Sequence, residues 1–301
     1  MKILISGSHG LVGKALIKSL TDDGHEVIRL VRGSASAQEI EWHPNQGRID
    51  PEHLEGFDVV VHLAGENIAS GRWTGEKKRA IRESRVKGTS LLSESLARLS
   101  RPPSLFLSAS AIGYYGDRGD ELLTEKSAPG DGFLPSVCVE WENATKPAVE
   151  KGIRTVHTRF GIILDRNEGA LAKMLPPFKM GIGGKIGNGK QWMSWITLDD
   201  VVRGLKFLIT DTSTRVPVNF VAPTPVTNTE FTKVLGRVLS RPTLFPVPAF
   251  GVRLAFGEMA DALLLSSQKV EPSVLEDRGF SFNWPTLEPA LKHLLAADKR
   301  G

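Results

Sequence analysis

The sequence predicts an α/β fold: a doubly wound, Rossmann-type parallel sheet with a smaller C-terminal substrate lobe. Three observations carry that expectation. Short apolar runs alternate with segments of helical spacing through the first 165 residues. A glycine-rich turn, Gly7-Ser8-His9-Gly10-Leu11-Val12-Gly13, joins the first run to the first helical segment. Past residue 165 the alternation gives way to a stretch rich in Gly, Pro, Lys and aromatics. Strands that alternate with helices need right-handed crossovers, and hence parallel pairing.

In order, "KILISG" is a short apolar strand ending in Gly, and "KALIKSLTDDG" is a helix stopped at Gly24. "HEVIRLVR" and "FDVVVHLAG" are buried strands, followed by the long helix "EKKRAIRESRVKGTSLLSESLARLS" and the strand "SLFLSAS". "LPSVCVEWENATKPAVEKG" is a helix interrupted by Pro147, and "RTVHTRFGIIL" a strand. "KMLPPFKMGIGGKIGNGKQWMSW" has no clear period and is expected to be a long functional loop. "DDVVRGLKFLI" is a helix with Asp199 as N-cap and Asp200 in its first turn. "VPVNFV" is a strand, and "NTEFTKVLGRVLS" a helix capped by Asn228 or Thr229. The tail, 245–301, holds small helices around "FGVRLAFGEMADALLL" and "LEPALKHLLAA". Residues 1–165 thus form a dinucleotide-binding domain to which 199–222 return, and 166–198 with 223–301 form the substrate lobe.

Composition narrows the function. At 41% hydrophobic and 24% charged, the chain can bury an ordinary globular core. Its net charge of +4 is scattered without a basic block, a poor footprint for nucleic acid. The N-terminal apolar run is too short for a signal peptide, and no stretch approaches the ~18 apolar residues of a membrane span. The lone Cys138 excludes an internal disulfide and a multi-thiolate metal site, so the expectation is a cytoplasmic protein without metal.

Gly7, Gly10 and Gly13 permit a tight turn, close approach to a pyrophosphate and close packing of helix on strand. Leu11 and Val12 open the helix, whose free amides favour an anion. An NAD site wants an acid at the end of the second strand, but here the strand ends Leu30-Val31-Arg32-Gly33. Arg32 offers a planar, permanently charged fork to a 2′-phosphate, or else is a solvated surface residue. NADP(H) is therefore the expected cofactor.

The chain resembles the extended short-chain dehydrogenase/reductase superfamily. More closely, it is similar to an atypical epimerase-like subgroup labelled "epimerase family protein" or cell-division inhibitor. The marks are "GSHGLVG", "LAGENI", "ESRVKGT", "SASAIGYYG", "VCVEWE", "GIGGKIGNGKQWMSWITLDD" and "PVPAFGVRLAFGEMADALLLSSQKVEP", spread over essentially the whole chain. The resemblance implies an NADP-type cofactor lined by the backbone of Leu63, Ala64 and Gly65, and makes 245–301 a family-specific segment. It places Phe160 and Gly161 at the nicotinamide end. It gives Arg85, in "SRVKGT", a reach toward the nicotinamide ribose or a substrate anion. Superfamily relatives dimerise through the helices corresponding to 76–100 and 134–150, which leaves a homodimer open by analogy.

The superfamily mechanism uses a Ser and then Tyr-x-x-x-Lys on the next helix, the Lys lowering the pKa of a phenol near 10. The resemblance assigns the Ser to Ser110, with Ser108 second. It puts Leu134 on the Tyr, Cys138 on the Lys and Glu142 on a following acid. The chain's two tyrosines are Tyr114 and Tyr115, so any catalytic phenol is one of these, with packing as the other reading. Cys138, among Val137, Val139, Glu140 and Glu142, reads as a buried small hydrophobe. Glu66, with Asn67 beside it, is the candidate acid on the loop beyond a strand's carboxyl end. Lys185 and Lys190 are expected to meet an anion, and Trp192 and Trp195 to cover a substrate or pack the lobe.

Two functions follow. One is an NADP-dependent oxidoreductase or epimerase-like enzyme acting on a small, anionic or sugar-like substrate. The other is a non-catalytic NADP(H)-binding sensor or scaffold.

Overall fold

The computed structural model describes residues 1–33 and 35–296; Ala297, the last residue of "LEPALKHLLAA", and the end of the 245–301 segment lie outside them. In chain order the first elements are β1 (Lys2–Ser6), α1 (Leu11–Asp22), β2 (Glu26–Val31), β3 (Glu39–His43), β4 (Arg48–Ile49), β5 (Val59–His62), α2 (Gly75–Arg98) and β6 (Leu105–Ala111). Next come β7 (Leu122–Leu123), α3 (Phe133–Asn143), α4 (Lys146–Glu150), β8 (Arg154–Phe160), β9 (Ile162–Leu164), α5 (Gly169–Lys179), β10 (Trp192–Met193), β11 (Trp195–Thr197) and α6 (Leu198–Thr210). The remainder is β12 (Val218–Phe220), β13 (Val226–Thr227), α7 (Asn228–Leu239), α8 (Ala249–Phe256), β14 (Lys269–Val270), α9 (Ser273–Asp277) and α10 (Leu287–Leu295).

The main sheet has eight strands in the order β12-β8-β6-β5-β1-β2-β3-β4, parallel except for the β3–β4 pair. The α/β class is as the sequence predicts. Chain order reverses at β1, so the crevice above β1 and β5 is the topological switch point at which such sheets bind ligands. Side chains alternate between faces. Ile3 and Ile5 pack with Leu16 of α1 and Leu205 of α6, whereas Leu4 packs with Leu92 and Leu96 of α2 and Ala148 of α4. Burial on both faces is why these strands read as continuous apolar runs.

The lobe beside the sheet has its own core: Leu171, Leu175 and Phe178 of α5, Trp195, Phe231 and Leu235 of α7, and Leu291 of α10. This corrects the expectation of a long loop. Leu171, Leu175 and Phe178 recur at helical spacing, and their burial outweighs the low helix propensity of Pro176 and Pro177. Only the stretch between α5 and β10 stays irregular. The break between α3 and α4 lies at Ala144–Thr145; Pro147 stands instead at the start of α4, where a missing N–H costs nothing.

Two caps also differ. Thr197 and Thr227 cap α6 and α7, accepting from the amides of Asp200 and Glu230. Asp199 pairs with His293 at 2.9 Å. Asp200, fully buried, accepts the amides of Asn283 and Trp284 at 2.9 Å and pins the tail to α6. The β3–β4 hairpin was not expected from the sequence, because Glu39, Glu41 and His43 interrupt its apolar pattern.

Candidate functional site

At the switch point each glycine has a steric reason. Gly7 has φ +71°, and a Cβ there would lie 2.6 Å from the Leu63 carbonyl carbon and 2.8 Å from the Ala64 nitrogen. A Cβ on Gly13 would meet the Gly7 oxygen at 2.3 Å, and Gly10 donates its amide to that same oxygen at 3.0 Å. Gly7 thus lets β1 end against β5, and Gly13 lets α1 start directly under the turn. The first amides of α1, Leu11 and Val12 among them, have no intrahelical acceptor, which makes an anion site.

A hydrogen-bonded chain supports the crevice from below. Ser6 Oγ accepts the amides of Leu63 and Ala64 at 3.2 and 3.3 Å, and lies 2.6 Å from His62 Nδ1. His62 Nε2 lies 3.1 Å from Thr89 Oγ1, which accepts the Trp141 indole at 2.9 Å. The arrangement assigns a neutral ring with its proton on Nε2. Burial pushes His62 down to about 4. Trp141 in turn carries the Arg85 guanidinium, 5.0 Å over its ring, and Arg85 Nη1 donates to the Glu66 and Ile81 carbonyls at 3.1 Å. A Cβ on Gly65 would sit 3.4 Å from the guanidinium carbon. Burial lowers the pKa of Arg85.

The rim is polar. Glu66 is paired with Lys77 at 2.5 Å and remains 39% exposed, so its carboxylate is held yet reachable. Val31 is buried at the end of β2, while Arg32 is exposed and, among the described residues, has no partner. Phe160 sets its ring edge-on to Phe220 at 5.1 Å; a Cβ on Gly161 would strike Ser194 O and Val221 Cγ1 at 2.6 Å. The α5 helix is tied at its start by Glu168 to Lys14 of α1, and farther along by Lys173 to the Ala69 carbonyl.

Ser110 and Tyr115 lie elsewhere. Ser110 and Arg159 are register partners on β6 and β8, so both face α3. Glu142 of α3 takes both: it accepts Ser110 Oγ at 2.7 Å, and Arg159 Nε and Nη2 at 2.8 Å each. Arg159 Nη1 donates to the Tyr115 hydroxyl at 3.0 Å, which donates to Asn219 Oδ1 at 2.7 Å. The guanidinium also lies 3.6 Å over the Tyr114 ring. Tyr115 is 0% exposed and burial pushes its phenol up to about 12. Burial opposes the charge on Glu142, but the bonds from Arg159 outweigh it and hold the carboxyl below its usual range. Of the readings open to Ser110 and Tyr115, this geometry favours the structural one over a catalytic one, since both hydroxyls are engaged within the chain. Ser110 sits on the strand face covered by α3, and Tyr115 is sealed against β12.

On α3, Leu134 and Cys138 pack toward Gly113, where a Cβ would lie 3.5 Å from Leu134 Cβ and 3.9 Å from the thiol. Burial, then the Glu142 charge, pushes Cys138 up to about 12, as suits a buried apolar filler. Trp195 is buried with its indole on the Thr224 carbonyl; Trp192 donates to Asp120 at 2.7 Å and lies under Lys269. Of the two readings of this pair, Trp195 takes the packing one, while Trp192 is half-buried and bonded at the surface. Lys185 and Lys190 are exposed. Among the described residues no cluster of His, Cys, Asp or Glu could hold a metal, and no helix is long and apolar enough to cross a membrane.

Sequence reasoning did not single out Arg159 or Asn219. A signal existed: Ser108 and Ser110 recur at period two on an otherwise apolar β6, and β8 carries Thr155, His157 and Arg159 at the same period.

Comparisons with known proteins fit this geometry. Residues 3–136 match the NAD dependent epimerase/dehydratase family, and 247–294 match DUF1731, a domain of unknown function. The chain is 44% identical over 290 residues to epimerase family protein Mb2239 of Mycobacterium bovis, covering 96% of each. It is 35% identical to YfhF of Bacillus subtilis, covering 99% of each. Among solved structures, human epimerase family protein SDR39U1 with NADPH superposes with a TM-score of 0.91 at 31% identity, covering 98% of this chain and 99% of that one.

Proposed function

The chain belongs to the epimerase/dehydratase family with a C-terminal DUF1731 segment, and on that premise we propose that it binds NADP(H) above β1 and β5 as an oxidoreductase or epimerase-like enzyme. Its substrate in this reading is a small, anionic or sugar-like molecule. The observation that carries the reading is the glycine cradle, in which a Cβ on Gly7 or Gly13 would clash with backbone, beside an exposed Arg32 without a partner among the described residues. The NADPH in the human relative's structure supports the choice of phosphate. When bound, the cofactor supplies or accepts a hydride at its nicotinamide.

The chain's own groups hold and orient it. The α1 amides take the pyrophosphate and Arg32 the 2′-phosphate. The backbone of Leu63, Ala64 and Gly65 lines the ribose, Phe160 borders the nicotinamide end, and Arg85 faces its ribose or a substrate anion. Leu134 and Cys138 hold the seats of the superfamily's tyrosine and lysine, and neither moves a proton near neutral pH. Proton transfer falls to Glu66, whose carboxylate Lys77 keeps in place.

A second reading, an NADP(H) sensor without turnover, is favoured by the sealing of Ser110 and Tyr115. Fluorescence titration with NADPH and NADH separates the cofactors. Wild type should prefer NADPH, and Arg32→Ala should lose about tenfold of that preference. Tighter NADH binding by wild type sinks the Arg32 assignment. NADPH oxidation across a carbonyl and nucleotide-sugar panel then tests the chemistry. Turnover abolished by Glu66→Gln supports the enzyme, and inactivity across the panel favours the sensor.

A further inference from the structure

Between α3–α4 and residues 124–128, over the β8–β12 edge of the sheet, lies a cavity of 630 Å³. That size is within the range of small-molecule sites. Its floor is Thr155, His157 and Arg159 of β8, polar where the same sheet face elsewhere carries Leu4, Val60 and Phe106. That floor is already satisfied within the chain, Thr155 by the Ile153 carbonyl, His157 by Thr145 and Arg159 by Glu142, so it is a preformed polar surface. None of the cradle residues lines this cavity, which sits toward the sheet edge, away from the switch point.

We propose that this cavity is a second small-molecule site, for a hydroxylated anion of sugar-phosphate size. Glu125 points to the hydroxyl. Its Oε1 accepts the amides of Asn219 and Val274 at 3.0 and 3.3 Å, while its buried Oε2 has no partner among the described residues. Burial raises the Glu125 pKa. A ligand hydroxyl both donates and accepts, so it satisfies that oxygen whether or not the carboxyl is protonated. The anion follows from charge. Glu142 and Arg159 neutralise each other on the inner wall, leaving exposed Lys126 and Arg215 at the rim, neither with an ion-pair partner among the described residues. The wall is shared: the Glu142–Arg159 pair that borders the cavity also holds Ser110 and Tyr115. An occupant therefore bears directly on the end of β6.

The test is calorimetric titration of the full chain with D-glucose 6-phosphate, D-glucose and inorganic phosphate, each with and without saturating NADPH. Glucose 6-phosphate should bind saturably and more tightly than either half alone, with the same affinity in the presence of NADPH. Lys126→Ala combined with Arg215→Ala, two exposed positions that do not threaten folding, should weaken it at least about tenfold. Glu125→Leu, which leaves a ligand hydroxyl no polar partner there, should weaken it too, with its thermal unfolding recorded because Oε1 also ties two amides. No saturable binding, equal binding of inorganic phosphate alone, loss of binding when NADPH is added, or indifference to the rim variants each overturns the proposal.

Discussion

Two polar regions flank the carboxyl end of the sheet, and they are built in opposite ways. In the crevice above β1 and β5, backbone amides, Arg32 and the Glu66 carboxylate are left with bonds to make. Beneath α3, Ser110, Glu142, Arg159, Tyr115 and Asn219 use up one another's hydrogen bonds and are almost entirely hidden. Satisfied buried networks rigidify a fold, and unsatisfied exposed ones bind ligands. The comparison teaches that a serine and a tyrosine at the positions a family pattern highlights can belong to the scaffold. The groups open to chemistry lie on the other side of β6.

The comparison can be broken by removing the hub of the buried network. Glu142→Ala strands a buried guanidinium and should cost about 4 kcal/mol in denaturant unfolding. A loss of under about 1 kcal/mol would mean that the network is not structural. The chain beneath the crevice gives a pH signature. His62, with an ordinary value of 6.5 and a folded value of about 4, is neutral in the fold and protonates more readily when unfolded. Stability is therefore full above 6.5, falls as the pH drops from 6.5 toward 4, and is flat below. The loss is on the order of 3 kcal/mol. The difference between wild type and His62→Gln across that window isolates it, and parallel curves would remove His62 from the account. Gly13→Ala addresses the crevice alone. Relieving a 2.3 Å contact with the Gly7 oxygen costs roughly 1–3 kcal/mol, so NADPH affinity should fall roughly ten- to a hundredfold.

The crevice was legible in the sequence because its signals are local. Three glycines at fixed spacing between an apolar strand and a helix state a backbone requirement, and Gly7, Gly10 and Gly13 each meet a clash or a bond that explains them. The buried network was not legible, because its members come from β6, α3, β8 and β12. Only strand register brings Ser110 beside Arg159 and sets Glu142 over both. The helix α5 was hidden by Pro176 and Pro177, whose local preference the lobe core overrides. Thr197 and Thr227 were passed over as caps because another capping residue, Asp199 or Asn228, follows within two positions.

The most direct test is one protein measured twice. Tyr115→Phe combined with Ser110→Ala removes two hydroxyls from the buried network and none from the crevice. Thermal unfolding should report a loss of about 1 kcal/mol for each hydrogen bond. Calorimetry should give an NADPH affinity within about twofold of wild type. Unchanged stability together with a tenfold or greater loss of NADPH binding would contradict the account, and would return both residues to the functional site.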